Sequence, residues 1–514
     1  MEKTIMDCVI GCDVGSQGVK AVLLNAEGRT LGEAGTSYTI DYPQPTWAEQ
    51  PAEVWISAIA TTIKRLMETV GVTQDQVRAI GMDAQVDGFV PIDANGKPLR
   101  PAIIWMDRRA VPQVESARKL CEPERVFRLS GLNFDPYHVA PKIRWFAENQ
   151  PELYERTAHF LLPGSYVAYY LTGELGVDFS NASSTLLMDV QKKTWSVELC
   201  DCFKISADKL TPIFPATHIL GTLRKEAADA LGLSPKTSVV LGCGDEHAAC
   251  LGAGVVMGGL ACDIAGTAEP VCAASPSPLF DPTGLVETHC HAHPDLWLME
   301  NPGFVSGGNY RWFRDQFSPE ETKQAAEINA DVYELLNRLA GQAPPGCQGL
   351  VLLPCLMGSV TPVWNANMRG TFLGFTLTHG REHFVRAILE ASAYALRDIT
   401  DQMQKIGLQL KEIRAVGGGA RSELWRQIKA DVTGLPVSML ETVETTAFGA
   451  AMLALTGSGL ATSLYQAVEA TVRVVETRDP DIKTKEIYEE YYQFYRSAFF
   501  ALLSVYDKAP REQI

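Results

Sequence analysis

The chain has 514 residues, more than one hydrophobic core usually supports, so at least two domains are expected. Its 46% hydrophobic and 21% charged residues are ordinary for a globular protein, and a formal charge of −16 opposes binding to a nucleic-acid backbone. Met1 to Asp7 lacks a basic region leading into an apolar run, and no apolar stretch reaches spanning length, so neither a secretory signal nor a membrane role is expected.

Taken in order, Cys8 to Val14 is an apolar, β-prone run and Lys20 to Leu24 a second one. Asn25 to Gly28 turns the chain into a third strand from Thr30. Between the first two runs lies Asp13-Val14-Gly15-Ser16-Gln17-Gly18. Pro51 opens a helix in which Trp55, Ile59, Ile63, Leu66 and Val70 recur at three or four residues, with Gly71 behind them. Val77 to Asp83 and Ala102 to Trp105 read as strands, and Pro141 to Asn149 as a helix. The strand Ser238 to Leu241 runs into Gly242-Cys243-Gly244-Asp245-Glu246. A last helix, roughly Thr484 to Asp507, carries Ile487, Tyr491, Phe494 and Ala498 at helical spacing. Strands mixed with helices place the chain in the α/β class. Cys12-Asp13-Val14-Gly15-Ser16 is echoed by Cys262-Asp263-Ile264-Ala265-Gly266-Thr267, each near the start of one half. Either the echo is chance, or two related lobes, 1–250 and 251–514, meet where Gly252, Gly254, Gly258 and Gly259 cluster.

Glycine-bearing turns let backbone N–H groups approach an anion. The turns at Asp13 to Gly18, Gly266-Thr267 and Gly417-Gly418-Gly419 could hold phosphates in this way, or serve only as tight turns. None has the P-loop or dinucleotide-binding pattern. Asp245 sits at the end of a buried strand, flanked by glycines. It is placed either as a general base for an attacking hydroxyl or as a cap for the helix that follows.

These segments, in this order, resemble the FGGY carbohydrate kinases over nearly the whole chain, closest in character to xylulose kinases. The resemblance also rests on Trp47-Ala48-Glu49-Gln50, Ile104-Trp105-Met106-Asp107-Arg108, Ala140-Pro141-Lys142-Ile143-Arg144-Trp145 and Gly417 to Ser422. It implies two ribonuclease-H-like lobes, of the actin and hexokinase type, around a nucleotide-binding cleft. It also implies ATP-dependent phosphorylation of a small sugar or polyol, best D-xylulose, with another ketose, glycerol or an erythritol-like polyol as alternatives, and a catalytically silent sugar-binding regulator of the same fold as the reading from another class. Position by position it makes Asp245 the base and Asp13 the acid tied to Mg²⁺ through water. Gln85, Asp87, Trp105, Asp107, Tyr137 and Glu246 become substrate contacts. Gly15, Ser16, Gln17, Lys20, Gly266, Thr267, Gly307, Gly418, Gly419 and Ser422 become nucleotide contacts. A homodimer is compatible with it. The chain departs from xylulose kinases at Val86-Asp87, where Met-His is usual; Asp87 and Asp135-Pro136-Tyr137 are more like glycerol kinases. Ala268-Glu269, Val139 and Phe375 also depart from the family pattern.

Three other features read more plainly. His289, His291 and His293 would share a face of one strand, yet no second pair of ligands stands at metal spacing. Cys200-Asp201-Cys202 reads as two packed thiols, and all 12 cysteines as reduced thiols of a cytoplasmic protein. Arg311, Trp312, Arg314 and Phe317 fit a helix better than a nucleic-acid patch.

Overall fold

A computed structural model describes residues 7–509. Almost all of the leader stretch considered above, Met1 to Met6, therefore lies outside the described residues. The first sheet contains β1 (Cys8–Val14), β2 (Gly18–Asn25), β3 (Thr30–Ser37), β4 (Val77–Ala84), β5 (Ile219–Thr222) and β6 (Ser238–Gly244), in the spatial order β5-β6-β4-β1-β2-β3. The apolar runs expected to be strands form them, and β1 is buried along nearly its whole length, as a central strand must be. Helix α1 (Ala52–Val70) covers one face through Trp55, Ile59, Ile63 and Leu66 and ends at Gly71, which takes the left-handed conformation at φ 76°.

The second sheet contains β7 (Leu260–Ile264), β8 (Ala268–Ser275), β9 (Glu287–Cys290), β10 (Trp297–Val305), β11 (Glu412–Val416), β12 (Val437–Leu440) and β13 (Val474–Arg478). Their order is β9-β10-β8-β7-β11-β12-β13. Strands β3-β2-β1-β4-β6-β5 superpose in sense on β10-β8-β7-β11-β12-β13. In each set three antiparallel strands are followed by two parallel ones and a last antiparallel one. The echo between Cys12 and Cys262 thus falls at the same hairpin of two lobes with one topology. Chance does not produce that.

Two helices join the lobes: α2 (Asp245–Gly252), which leaves β6, and α3 (Thr446–Gly457), which leaves the second sheet and returns to the first. Gly449 makes their crossing close, since a β-carbon there would stand 2.0 Å from the Ala248 carbonyl oxygen. Val9, Leu24 and Val240 of the first sheet, Cys262 and Leu298 of the second, and Ala248, Phe448 and Met452 of the two helices form one buried cluster. Core is therefore continuous from lobe to lobe.

Several expectations are corrected. Ala102 to Trp105 contributes only a two-residue strand, Ala102–Ile103, and the helix placed at Pro141 begins at Val139. The last helix, α4 (Ile482–Tyr506), buries Tyr488, Tyr492, Tyr495 and Phe499, the face next to the one its apolar spacing suggested, while Ile487 and Phe494 are exposed. Cys202 is joined to Cys121 with Cα atoms 6.1 Å apart, so these two are not free thiols; the other ten cysteines are free and buried. Among the described residues no helix is long and apolar enough to cross a membrane.

Candidate active site

The parallel strands β1, β4 and β6 end at the junction between the lobes, where open α/β sheets place ligands. Asp13 pairs in register with Asp83, Asp83 with Cys243, and Asp245 follows β6 directly. Three carboxylates are thereby gathered at one sheet edge. Burial pushes the Asp13 carboxyl up to about 6, although a hydrogen bond with Asp83 and the Lys20 ammonium pull it down. Burial, then the charges of Asp13 and Asp245, hold Asp83 well above the usual range. Burial, then Glu246 and Asp13, do the same for Asp245. Apart from the contact with Asp13, both carboxylate oxygens of Asp83 are buried without a hydrogen-bond partner. Oxygen donors crowded in this way suit a hard divalent cation.

The equivalent hairpin of the second lobe is treated differently. Asp263 is paired with the buried Lys429, whose Nζ lies 2.5 Å from it and 2.9 Å from Glu269, and burial beside Asp263 pushes the Glu269 carboxyl up to about 8. One copy of the duplicated aspartate is tied up; the other keeps like charges around it.

On the first-lobe side the turn after β1 is held by a polar relay. Trp105 Nε1 donates to Ser16 Oγ at 2.7 Å, Ser16 Oγ to Gln85 at 3.3 Å, Gln85 Nε2 to Gln50 at 2.9 Å, and Gln50 Nε2 to the Ser16 carbonyl at 2.8 Å. Trp105 nevertheless leaves 42% of its surface exposed. Next to this relay, Asp87 takes φ 56°, an uncommon conformation for a residue with a side chain. Its carboxylate lies 3.3 Å from His138 Nδ1. Lys142, fully buried, fixes the surrounding backbone: its Nζ donates to the carbonyls of Asp87, Ile104 and Tyr137 at 2.7, 2.9 and 2.5 Å. Burial lowers its pKa to about 7. Tyr137 donates its hydroxyl to Glu287 of β9 at 3.0 Å, so the second lobe closes one wall of this region. Burial pulls His138 down, yet the carboxylates of Asp87, Glu287 and Asp135 prevail and keep its pKa above the ordinary value.

On the second-lobe side a cavity of about 460 Å³ is lined by Gly266, Thr267, Gly307, Gly418, Gly419 and Ser422, together with Tyr310, Arg311, Asn337 and Trp425. Six of the anticipated nucleotide contacts therefore converge on one hollow of ligand size. Gly307 heads the helix Gly307–Phe317, and a β-carbon there would stand 2.3 Å from the Gly266 carbonyl oxygen. The Gly308 N–H donates to the Thr267 carbonyl at 3.0 Å, which locks turn and helix together.

Other expected residues stand differently. Asp107 is fully buried, and its carboxylate accepts from the Ala48 N–H at 2.7 Å and from the Arg109 guanidinium at 2.7 Å and 2.9 Å. With both oxygens engaged inside the protein, it braces the Trp105 segment. Lys20 is engaged with Glu444 across the cleft at 2.5 Å. The Gln17 side chain is exposed, and Gly15 closes the turn through an N–H donated to Gly18 at 3.0 Å. The histidines diverge because β9 stops at Cys290. His289 faces Glu287 and Glu300, His291 Nε2 meets the Val255 carbonyl at 2.9 Å, and His293 packs on Tyr465. Asp83, His138 and Glu287 were not singled out beforehand, and Gln50 and Lys142 only as members of stretches that carried the resemblance. Only the run Val77 to Asp83, a buried strand closing on a carboxylate, carried a signal of its own.

Comparison with known proteins follows this geometry. Residues 8–252 match the model of the N-terminal domain of the FGGY family of carbohydrate kinases, and residues 262–458 that of its C-terminal domain. The chain is 29% identical to a xylulose kinase of Bacillus subtilis over 96% of this chain and 97% of that one. It is also 29% identical to a gluconokinase of the same organism over 88% of each. Its backbone matches the crystal structure of xylulose kinase from Rhodospirillum rubrum with a TM-score of 0.89 at 28% identity, covering 98% of this chain and 100% of that one. With both halves matched by one family's two domains, the chain belongs to the FGGY family of carbohydrate kinases.

Proposed function

We propose that the protein phosphorylates a primary hydroxyl of D-xylulose with ATP, giving D-xylulose 5-phosphate. The observation that carries this reading is the position of Asp245. It lies beside Asp13 of the first glycine-bearing turn on one side and beside Glu246, itself within the field of Asp87, on the other. In this reading Asp245 accepts the hydroxyl proton as the sugar oxygen bonds to the γ-phosphorus and ADP departs. A carboxyl raised by burial is a stronger base once ionised, and a positioned base is commonly worth roughly 10²–10⁴-fold in rate. Asp13, through water, and Asp83 would hold Mg²⁺, which supplies charge neutralisation for the transferring phosphoryl group. Gly266, Thr267, Gly307, Gly418, Gly419 and Ser422 would take the nucleotide. Asp87, Trp105, Tyr137 and Glu246 would take the sugar, with the lobe 1–250 carrying it and 251–514 the nucleotide. Reliance on ATP and the ten free thiols favour work in the cytoplasm, and the joined pair Cys121–Cys202 stands against it.

The relatives favour xylulose: xylulose kinases match at up to 33% identity and over up to 96% of this chain, the gluconokinases at 28–29% over 88%. The charge of the sugar region favours a neutral ligand: Glu287 is buried, yet its hydrogen bonds and the neighbouring His289 and His138 hold its carboxyl below the ordinary value, and its charge would repel the carboxylate of gluconate. ADP release measured with D-xylulose, D-gluconate, glycerol and erythritol tests this. The highest kcat/KM is expected for D-xylulose; a higher value for gluconate overturns the substrate assignment.

A further inference from the structure

Behind the sugar region, β9 and β10 carry a group of side chains that phosphoryl transfer does not use. Glu287 and Glu300 stand directly opposite one another on adjacent antiparallel strands, 1% and 3% exposed. Like charges directly opposed across a sheet destabilise it, and burial removes the water that would screen them. Glu287 is satisfied by the Asn133 N–H at 2.9 Å and the Tyr137 hydroxyl at 3.0 Å. Glu300 is not. One of its oxygens shares a hydrogen bond with Glu246, while Oε2 has no partner. His289 touches Ser184 Oγ through Nδ1 at 3.4 Å, and its Nε2, also unpartnered, is 3.7 Å from Glu300 Oε2 and 3.8 Å from Glu287 Oε2. His247, on the first turn of α2 and 1% exposed, has no partner at either ring nitrogen. Its ring centroid is 5.6 Å from that of His289. The three unpartnered groups come from three separate elements.

We propose that His247, His289 and Glu300 form a binding site for a transition-metal dication of the zinc class, separate from the nucleotide's magnesium. One ligand atom from each lies within 4.8 Å of the others. Small rotamer shifts bring such atoms to the roughly 2.0–2.2 Å that zinc keeps from nitrogen and oxygen ligands. Two imidazoles and a carboxylate select zinc, cobalt, manganese or iron(II) over magnesium and calcium, which take oxygen. Bound there, the ion offsets the opposed glutamates and joins α2, which starts at Asp245, to the strand that supports Tyr137. It is a positioning element, and its existence does not depend on which sugar is phosphorylated.

The test uses the full chain, stripped with a chelator and dialysed, then titrated calorimetrically with Zn²⁺ and observed with Co²⁺ as a visible-absorption probe. One tight equivalent is expected, with a cobalt spectrum of nitrogen and oxygen ligands and a raised thermal midpoint. His289→Gln and Glu300→Gln should each weaken binding by more than the roughly 10–100-fold that loss of an outer-sphere partner costs. Two near-isosteric variants guard against one that does not fold. Absence of stoichiometric binding by the wild-type chain overturns the proposal. So does a thiolate charge-transfer band, which places the ion on cysteines, and so does unchanged affinity in a folded variant. Kinase activity with or without zinc leaves these readouts intact, so failure here is distinguishable from failure of the kinase reading.

Discussion

Lys142 shows how much of a binding site can rest on one side chain that touches no ligand. Its ammonium group holds three carbonyls, from the Asp87, Ile104 and Tyr137 segments, inside the protein. Lys142→Met would strand all three, at about 1–3 kcal/mol for each acceptor left unsatisfied. The expected outcome is a lower thermal midpoint and a KM for the sugar raised about tenfold or more, by the 1.4 kcal/mol that each tenfold represents, with the KM for ATP little changed. Steady-state kinetics with each substrate varied in turn checks the split. Asp83 makes the opposite case. Its carboxyl is held above its ordinary pKa by burial beside Asp13 and Asp245, so the folded state binds a proton that the unfolded chain releases. Stability from such a group is fully present below about pH 4 and is lost as pH rises through the raised folded value. Asp83→Asn should therefore raise the thermal midpoint at pH 7 to 8, by roughly 1 °C for each kcal/mol regained in a chain of this length, and the gain should shrink towards pH 4. Calorimetry across that range checks it, and the same variant should lose Mg²⁺-dependent turnover.

At the scale of elements, α3 decides how the lobes are joined. Because Gly449 lies against the Ala248 backbone, Gly449→Ala must part α3 from α2. Overpacking of this kind costs typically 1–3 kcal/mol. A denaturant midpoint lowered accordingly, with turnover reduced through the displaced start of α2 at Asp245, is the expected outcome; an unchanged midpoint and rate would contradict a rigid crossing. The same elements show what a sequence can disclose. The buried strands β1, β4 and β6 were legible because continuous apolar runs of that length have few alternatives. The last helix was legible as a helix but not as to its buried face. Tyr488 and Tyr492 are buried because their hydroxyls reach Glu390 and Asp398 at 2.8 Å, polar partners that no apolar periodicity reports. Cys121 and Cys202 are 81 residues apart, and no local spacing links them.

At the scale of the molecule, two lobes of one topology have diverged in their charges. Lys429 neutralises Asp263 in the second, whereas Asp13 in the first stands among Asp83 and Asp245. Duplication supplied the frame, and the uncompensated carboxylates mark the lobe proposed for chemistry. Asp13, Asp245 and the glycine turns were legible because they punctuate strands. The engagement of Asp107 by Arg109 was not legible in the sequence. Glu287, His289 and Glu300 reach the site only through the pairing of β9 with β10. The central claim is that Asp245 takes the proton of a sugar hydroxyl. It is tested most directly by single-turnover ADP formation from ATP and D-xylulose in Asp245→Asn, with nucleotide affinity measured alongside. A rate lower by roughly 10²–10⁴-fold with ATP affinity retained is the predicted result; a rate near that of the wild-type chain would contradict it.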